Sequence, residues 1–445
     1  MLKGGISKME YTEWLKQKDL EYKDGVLYFG NMEVIKLAEE YGTPIYIINE
    51  QSIRNQYKEL KEALNIEYKK NDIHYAMKAN SSLSVLKILH SEGASFDCTS
   101  SGEIFTCFKA GIPAEKIMYT GNMFTNEDFE YAIENKVHIN LDSISQLKRL
   151  NNVYNDLGIE KGAISFRINP EFGAGHHAHT ITAGKMIKFG ILEDQVIEAY
   201  SQAKQLGFTK FGTHIHIGSG ILNPYDYEKA VDKYSTIITN LADTLNISFE
   251  FLDFGGGLGI PYRPEEEPLN LEIYRDIVLK KFKNLIEKAD LGEPRFIIEP
   301  GRYLSAEASI LVAQINTIKD NGYRKFAGVD AGFNTLIRPV LYNSYHHIIP
   351  CEVSEERSEI EYDIAGPICE SGDILGRERL LPELHEGEYL TILDTGAYGF
   401  TMSNSYNSRP RPAEILINNK QAFQIRDAET FEALVSSQKI PNHLK

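Results

Sequence analysis

Eight short apolar runs rich in β-branched and aromatic residues follow one another along the chain, and helical patterns fill the gaps between them. The runs are HYAMKA (74–79), ASFDCTS (94–100), IMYTG (117–121), HINLDS (138–143), ISFRINP (164–170), FGTHIHIG (211–218), FEFLDFGGG (249–257) and RFIIEPGR (295–302). Alternation of strand and helix with eight strands predicts a (β/α)8 barrel. A doubly wound sheet is the alternative that the same alternation allows.

The pattern changes on both sides of this region. Before it, strand-like runs at 25–29 and 44–48 flank a short amphipathic helix, and a further helix is predicted over 51–64. After Arg302 the chain carries strand-like pieces separated by Gly- and Pro-marked turns, with a short helix, AETFEALVSS, near the end. The sequence therefore predicts an α/β barrel over 50–304 and an all-β domain, a β-barrel or β-sandwich, built from 1–49 and 305–445.

Composition narrows the class of protein. The chain has 445 residues, 42% of them hydrophobic and 25% charged, which is ordinary for a soluble globular protein. The formal net charge of -16 argues against nucleic acid or an anionic membrane as a partner. The first residues show no signal-peptide core, and no apolar run approaches the roughly 20 residues of a membrane helix. Four cysteines without a CxxC pattern indicate the reducing cytoplasm.

Polar residues collect where the eight runs end. In an eight-stranded barrel the carboxyl ends of all strands meet on one face, and active sites form there. The residues concerned are Lys78, Asp97, Arg167, His216, Gly255, Gly256, Gly257, Glu299 and Arg302. The sequence therefore predicts a functional site at this face.

Lys78 ends the first run, and no acidic residue stands beside it in the sequence. It is either a surface cation at a strand end or a desolvated amine that can condense with an aldehyde cofactor. The other motifs decide between these two interpretations.

Three consecutive glycines, 255–257, follow a strand but do not form a dinucleotide-binding fingerprint, because Ile260 stands where that pattern requires glycine. Their bare backbone N–H groups can cradle a phosphate. The alternative is a tight turn with no ligand.

His214 and His216 face the same side of their strand, because side chains alternate along it. The sequence shows no third zinc ligand for them, so we expect no metal. An aromatic ring beside a cofactor ring, with Ser219 donating to a phosphate, fits this segment better.

Glu299 and Arg302 in the EPGR segment pair an acid with a base at a strand end. They form either a structural ion pair or a site in which the carboxylate keeps a pyridine nitrogen protonated. The second arrangement makes the ring a strong electron sink.

The CESGD segment, residues 369–373, lies in the predicted all-β domain. A free cysteine is most often buried filler, but Cys369 beside Glu370 in a Gly-flanked turn can serve as a proton donor. The segments RPVLY (338–342) and GAYG (396–399) also lie in turn-rich stretches.

Together these stretches resemble the fold-type III pyridoxal-phosphate decarboxylases, and within them the enzymes that act on diaminopimelate. The resemblance extends from about Gly42 to about Ile417, and its motifs are YAMKAN, HIHIGSG, GGGLGIPY, EPGRY, IRPVLY, CESGD and GAYGFTMSNSYNSRPRPAE. It implies the cofactor pyridoxal 5'-phosphate (PLP) and the decarboxylation of meso-2,6-diaminopimelate to L-lysine and carbon dioxide. The alternatives are a decarboxylase of ornithine, lysine or arginine, and a PLP-binding barrel without catalytic turnover.

The resemblance also implies roles for single residues. Lys78 would hold the cofactor covalently, His216 would stack on its ring, and Glu299 would pair with its pyridine nitrogen. The residues expected to bind or flank the phosphate are Ser219, Gly255, Gly256, Gly257, Gly301, Arg302 and Tyr398. Substrate contacts are expected from Arg302, Arg338, Tyr342, Glu370 and Tyr398.

Cys369 is the expected proton donor, and the resemblance implies that Cys369 and Glu370 come from the partner subunit of a homodimer. The sequence departs from the family pattern at Ile187, at Gly220 and at Asn343. These departures bear on loop closure and substrate fit.

Overall fold

The structure, a computed structural model, describes residues 7–173, 183–184 and 186–445. The chain divides into two units. The sheet unit comprises Met1–Ser52, Tyr262–Glu266 and Ser305–Lys445, and the barrel unit comprises Ile53–Pro261 and Glu267–Leu304. The short segment Tyr262–Glu266 thus belongs to the sheet unit although both of its neighbouring segments belong to the barrel unit.

The described chain begins with helix α1 (Lys8–Gln17), which the sequence analysis did not predict. Ser7 caps this helix by accepting from the N–H of Glu10, whose carboxylate accepts from the N–H of Ser7 in return. The following elements are β1 (Leu20–Lys23), β2 (Val26–Phe29), β3 (Met32–Glu33), α2 (Val34–Tyr41) and β4 (Ile45–Asn49). Strands β1, β2 and β3 form an antiparallel sheet in that order.

All eight predicted barrel strands are present. With one additional short strand, β10, they are β5 (Asn71–Ala76), β6 (Ser95–Cys98), β7 (Ile117–Thr120), β8 (His138–Leu141), β9 (Ile164–Asn169), β10 (Ile191–Leu192), β11 (Phe211–Ile215), β12 (Phe251–Asp253) and β13 (Arg295–Ile298). The pairings within this sheet are parallel, β10 pairs only with β9, and β13 pairs with β5 to close the ring. The prediction of a (β/α)8 barrel is confirmed, and the doubly wound alternative is wrong because the sheet closes.

Helices precede, connect and follow the barrel strands. They are α3 (Glu50–Glu67), α4 (Leu83–Glu92), α5 (Ser101–Lys109), α6 (Asn126–Glu134), α7 (Ile144–Leu157), α8 (Glu193–Gln205), α9 (Asp226–Leu245), α10 (Leu271–Lys288) and the single turn α11 (Arg302–Ser305). Three of them start at a Ser or Thr whose side chain accepts from the third backbone N–H of the helix, namely Ser100, Thr125 and Ser143. In the described part of the chain, no helix is both long and apolar enough to span a lipid bilayer.

The rest of the sheet unit is mainly β-structure. Its elements are β14 (Ser309–Asp320), β15 (Lys325–Val329), α12 (Arg338–Tyr342), β16 (Ile348–Pro350), β17 (Glu359–Ala365), β18 (Ile374–Pro382), β19 (Tyr389–Ile392), β20 (Ala413–Asn418), β21 (Gln421–Arg426) and α13 (Phe431–Val435). Strand β4 pairs antiparallel with β14 and parallel with β20. The predicted joining of the N-terminal segment to the C-terminal β-structure is therefore confirmed.

Strand β4 and the first half of β14 are buried on both faces. Ile45, Ile47 and Ile310 enter one hydrophobic cluster, whereas Tyr46 and Leu311 enter another. This explains why the segment PIYII reads as a continuous apolar run, since a strand that alternates between core and solvent would show polar residues at every second position.

Candidate active site

Lys78 follows β5 at the carboxyl end of the barrel. The side chain of Lys78 is 41% exposed, and its Nζ lies 3.8 Å from Oδ2 of Asp97. Asp97 is on the neighbouring strand β6, where it pairs with Ala76. Burial and the nearby charge of Glu299 raise the pKa of Asp97 well above its usual range. At 3.8 Å the lysine is beyond hydrogen-bond distance, so its attraction does not offset these two effects.

Glu299 lies directly after β13 and is 5% exposed. Its Oε2 is 2.9 Å from Nε2 of His214 on β11. Burial alone would raise the pKa of this carboxyl, but His214, His216 and Lys78 together hold it well below its usual range. Glu299 is therefore the ionised acid of this face.

The tautomer of His214 follows from its surroundings. Nδ1 of this ring is buried and has no hydrogen-bond partner among the described residues, whereas Nε2 faces the Glu299 carboxylate, which can only accept. Burial lowers the pKa of His214, with Glu299 opposing that effect. The imidazole is therefore neutral and carries its proton on Nε2.

His216 stands one residue beyond the end of β11. Its Nδ1 accepts from the N–H of Gly256 at 3.0 Å, so the proton of the neutral ring is on Nε2. Burial, followed by Arg167 and Lys78, lowers the pKa of His216 well below its usual range. The ring is an uncharged, flat surface at the carboxyl end of the barrel.

The glycine segment after β12 was predicted to present bare backbone N–H groups to a phosphate, and two of these groups are already bonded. The N–H of Gly255 donates to Oδ1 of Asp253 at 2.8 Å, and that of Gly256 donates to His216, so neither points freely at a ligand. Glycine is required here by close approach: a Cβ would lie 2.2 Å from the Ile215 carbonyl oxygen at position 255 and 2.1 Å from the Glu299 carbonyl oxygen at position 256.

A possible group of metal ligands was missed by the sequence analysis. His214, Asp253 and Glu299 offer ligand atoms that all lie within 4.8 Å of one another. The statement that His214 lacks further candidate ligands is therefore wrong. Its possible partners lie on or directly after β12 and β13, strands that are close in space to β11 although they are distant along the chain. Burial and the charge of Glu299 raise the pKa of Asp253 well above its usual range, so a second negative charge beside Glu299 is disfavoured.

Arg302 begins α11 and is 7% exposed. Its Nη2 donates to Oγ of Ser219 at 3.1 Å, which joins two of the predicted phosphate-binding residues. Gly301 before it has no room for a side chain, since a Cβ would lie 3.1 Å from Cβ of Ala79 and 3.2 Å from Cβ of Ala76. The start of α11 is thus packed against the segment that carries Lys78.

In the sheet unit, Arg338 begins α12 and is 3% exposed. Its Nη1 donates to Nε2 of His346 at 2.7 Å, and its guanidinium lies 4.9 Å from the ring centroid of Tyr262. Tyr342 ends the same helix and is half-buried, and Asn343 caps it in the left-handed conformation with φ 54°. Asn is well suited to this conformation, which gives a physical reason for the departure at position 343.

The CESGD turn is exposed at its start. The N–H of Cys369 donates to Oδ1 of Asn407 at 2.8 Å, and Glu370 accepts from the hydroxyl of Tyr406 at 2.9 Å. Asp373 is buried and accepts from the backbone N–H groups of Phe333 and Ile368, at 2.6 and 2.8 Å. This carboxylate holds the turn in place, a role that the sequence analysis did not recognise.

Tyr398 lies in the turn after β19 and is half-buried, with φ 59°. Gly396, two residues before it, is required by close approach, since a Cβ would lie 1.9 Å from the Ser305 carbonyl oxygen.

Two departures from the family pattern lie in the barrel unit. Gly220 has φ 78°, a left-handed backbone conformation that glycine adopts without strain. Ile187 donates its N–H to the Gly184 carbonyl, but residues 174–182 and 185 of that loop lie outside the described residues.

The barrel face fits a cofactor with an aldehyde and a protonated pyridine ring. Oε1 of Glu299 is buried and has no hydrogen-bond partner among the described residues, so it is an acceptor to which a ring N–H can donate. Lys78 supplies a primary amine within the same cluster of charges, and Arg302 with Ser219 supplies phosphate donors. A barrel with these groups at its carboxyl end defines a class of PLP-binding enzymes.

Comparison with known proteins identifies the family. The family model for "Pyridoxal-dependent decarboxylase, pyridoxal binding domain" matches residues 50–306. The chain belongs to the pyridoxal-dependent decarboxylases, and its cofactor is PLP.

The similar proteins match over nearly their full length. The diaminopimelate decarboxylase of Methanothermobacter thermautotrophicus is 46% identical over 427 residues, which cover 96% of this chain and 99% of that protein. The crystal structure of diaminopimelate decarboxylase from M. jannaschii is 33% identical with a TM-score of 0.90, and the match covers 97% of this chain and 100% of that one. A crystal structure of the same enzyme with L-lysine is 34% identical with a TM-score of 0.89, covering 96% and 99%.

Proposed function

We propose that the protein catalyses the PLP-dependent decarboxylation of meso-2,6-diaminopimelate to L-lysine and carbon dioxide, the last step of lysine biosynthesis by the diaminopimelate route. The observation that carries the proposal is the buried carboxylate of Glu299, held ionised next to His214 with one oxygen free to accept. The similarity to diaminopimelate decarboxylases over 96% of the chain supports the choice of substrate.

Bound PLP supplies an electron sink for the negative charge that remains on the substrate when carbon dioxide leaves. Lys78 would hold the aldehyde carbon of the cofactor, and the ionised Glu299 would keep the pyridine nitrogen protonated. The neutral ring of His216 offers a flat face for stacking. Arg302 and Ser219 would bind the phosphate, together with Gly257, Gly301 and Tyr398. Gly255 and Gly256, whose N–H groups are already bonded, would lie beside it.

Arg302, Arg338, Tyr342, Glu370 and Tyr398 would contact the substrate. Diaminopimelate carries a second carboxylate and a second ammonium at its far end. A planar guanidinium binds a carboxylate with two parallel hydrogen bonds, so Arg338 is suited to the distal carboxylate and Glu370 to the distal ammonium. A decarboxylase for a simple distal amine would instead place an acid at the position of Arg338.

Cys369 would return a proton to the carbon from which carbon dioxide departs. Its exposed position, and that of Glu370, support the proposal that both residues complete the site of a partner subunit in a homodimer. All four cysteines, which lie in the described part of the chain, are free thiols. The absence of a CxxC pattern in the sequence supports the proposal that the protein acts in the reducing cytoplasm.

The function is tested by measuring carbon dioxide release from diaminopimelate, lysine, ornithine and arginine in parallel. We expect turnover of diaminopimelate alone. Arg338→Ala should lower kcat/KM for diaminopimelate by about 30-fold or more, because loss of a charge-assisted contact costs about 2–5 kcal/mol. Arg377→Ala removes an arginine from the same unit, 58% exposed, and serves as the control.

Two results would contradict this proposal. Preferred turnover of ornithine, lysine or arginine would show that the enzyme acts on another basic amino acid. Binding of PLP without release of carbon dioxide from any of the four compounds would favour a non-catalytic barrel.

The shared site is tested by mixing two inactive variants, Lys78→Ala and Cys369→Ala, under conditions of subunit exchange. Random reassortment makes about half of the dimers mixed, and each mixed dimer holds one intact site, so about a quarter of the wild-type activity should return. If labelled subunits exchange and no activity returns, both residues act within one chain.

A further inference from the structure

A fully buried histidine, His346, lies between the guanidinium of Arg338 and the backbone of the sheet unit. Its Nε2 is 2.7 Å from Nη1 of Arg338, and its Nδ1 is 2.8 Å from the carbonyl oxygen of Leu393. Both ring nitrogens are therefore engaged, one by a side chain and one by the main chain.

The two contacts determine the protonation state of the ring. A carbonyl oxygen can only accept, so Nδ1 of His346 carries a proton and donates it to Leu393. A guanidinium can only donate, so Nε2 of His346 is unprotonated and accepts from Arg338. The imidazole is therefore neutral in a single tautomer, since a proton on Nε2 would face an N–H of Arg338.

The ring is also held in orientation. The N–H of Leu393 donates to the carbonyl oxygen of His347 at 2.9 Å, which ties the two segments together next to the pairing of β16 with β19. The ring of Tyr262 meets that of His346 edge to face, with centroids 5.3 Å apart, and it also lies against the Arg338 guanidinium. His346 thus transmits the fixed position of the backbone to the side chain of Arg338.

We infer that His346 is a positioning residue that aims the Arg338 guanidinium at the distal carboxylate of the substrate and thereby sets the preference for substrates that carry one. The inference rests on the proposed function, in which Arg338 binds that carboxylate. A planar donor group recognises a carboxylate with two bonds only when its orientation is fixed, and long side chains otherwise sample many rotamers. Tyr262, from the GGGLGIPY motif, supports the same two side chains from one face.

Two matched ligands separate this role from a general structural one. L-Lysine keeps the carboxylate that lies far from the reacting carbon, whereas 1,5-diaminopentane has the same five carbons between its two amines but no carboxylate. Isothermal titration of each ligand into the PLP-loaded wild type should give tighter binding of L-lysine. His346→Leu, which removes both polar contacts, should weaken L-lysine by about tenfold or more, about 1.4 kcal/mol, and change 1,5-diaminopentane by less than about twofold.

The same variant should raise KM for diaminopimelate more than it lowers kcat. His346→Gln keeps an oxygen that can accept from Arg338, so its loss should be smaller than that of His346→Leu. The control is His347→Gln, which changes the adjacent histidine, whose ring nitrogens contact the hydroxyls of Tyr11 and Tyr345. That variant should leave the ratio of the two affinities unchanged.

Several results would overturn the inference. An unchanged affinity ratio in His346→Leu, or in His346→Gln if the leucine variant does not fold, would show that the ring does not position Arg338. An unchanged affinity ratio in Arg338→Ala, or equal binding of the two ligands by the wild type, would show that Arg338 does not contact the carboxylate. These binding results do not depend on turnover. The proposed function is refuted by a different result, namely that the wild type releases no carbon dioxide from diaminopimelate.

Discussion

The replacement Glu299→Gln tests the central group of the site without changing its shape. Nε2 of His214 carries a proton and needs a hydrogen-bond acceptor. The amide oxygen of the new side chain will therefore face His214. The amide NH2 then takes the position of Oε1 and becomes a donor. It would face the pyridine nitrogen as a donor, so that nitrogen would stay unprotonated and the ring would be a weaker electron sink.

The size of the effect follows from the contact that is lost. A hydrogen bond to a charged group contributes about 1.5–3 kcal/mol, and this one strengthens as negative charge develops in the ring. We therefore expect kcat to fall by about 10- to 150-fold with little change in KM. Cofactor content should stay near the wild-type level, because Lys78 and the phosphate-binding residues are unchanged.

The assay is carbon dioxide release under saturating diaminopimelate, with cofactor content measured on the same sample. Glu414→Gln is a matched control: Glu414 is 1% exposed, is paired with Arg426, and lies in the sheet unit. A Glu299→Gln enzyme with full cofactor content and kcat within about threefold of wild type would refute the reasoning.

Two further changes have defined outcomes. Borohydride reduction of the holoenzyme followed by peptide mapping should place the pyridoxal label on Lys78, and label on another lysine would refute that assignment. Lys18→Met should destabilise the protein by about 3–5 kcal/mol in urea unfolding, because it leaves the partners of a buried ammonium, Asp394 and Glu307, without their cation. Burial raises the pKa of Asp394 to about 7 against the attraction of Lys18, so the folded state holds a proton that the unfolded chain loses above about pH 4. The contribution of Asp394 to stability therefore falls as pH rises from about 4 to 7. In Lys18→Met the pKa of Asp394 loses the lowering effect of Lys18, so the variant should continue to lose stability beyond about pH 7. A difference in stability between variant and wild type that does not change with pH would contradict this account.

The barrel could be predicted from the sequence because its strands are short, buried and parallel. Such strands appear as apolar runs separated by helical patterns, whatever their order in space. Their ends could not be predicted equally well. The run 249–257 contains a strand of only three residues, Phe251–Asp253, because the chain leaves the ladder where Gly255 adopts φ 67°.

Helix α1 was missed because its sequence is mostly polar and its few buried residues give no clear period. Trp14 and Leu15 are its buried residues, and they pack into the cluster that contains Ile45. A local signal was nevertheless present, since Ser7 and Glu10 have the spacing of a capping box. The start of α1 is therefore encoded by its capping box and not by a hydrophobic period.

The partners of the charged residues could not be read from the sequence. Lys78 has no acid beside it along the chain, yet Asp97 lies next to it because β5 and β6 are neighbours. Lys18 meets Asp394 across 376 positions, and no sequence pattern links them. Pairings of this kind depend on the three-dimensional topology. The sequence could therefore predict which residues lie at the barrel face, but not which charged residues pair with one another.

The distribution of charge among the three buried acids follows from their separate partners. Asp97 has Lys78 at 3.8 Å, Asp253 has the N–H of Gly255, and Glu299 has the imidazole N–H of His214 at 2.9 Å, with Lys78 and His216 also favouring its charge. Because three charges are not readily held together in a buried site, the acid with the best partners ionises. Burial, together with the charge of that acid, raises the pKa values of the other two. The negative charge is therefore favoured on Glu299, so a protonated ring nitrogen placed beside its buried Oε1 would meet a full charge rather than one shared over three residues.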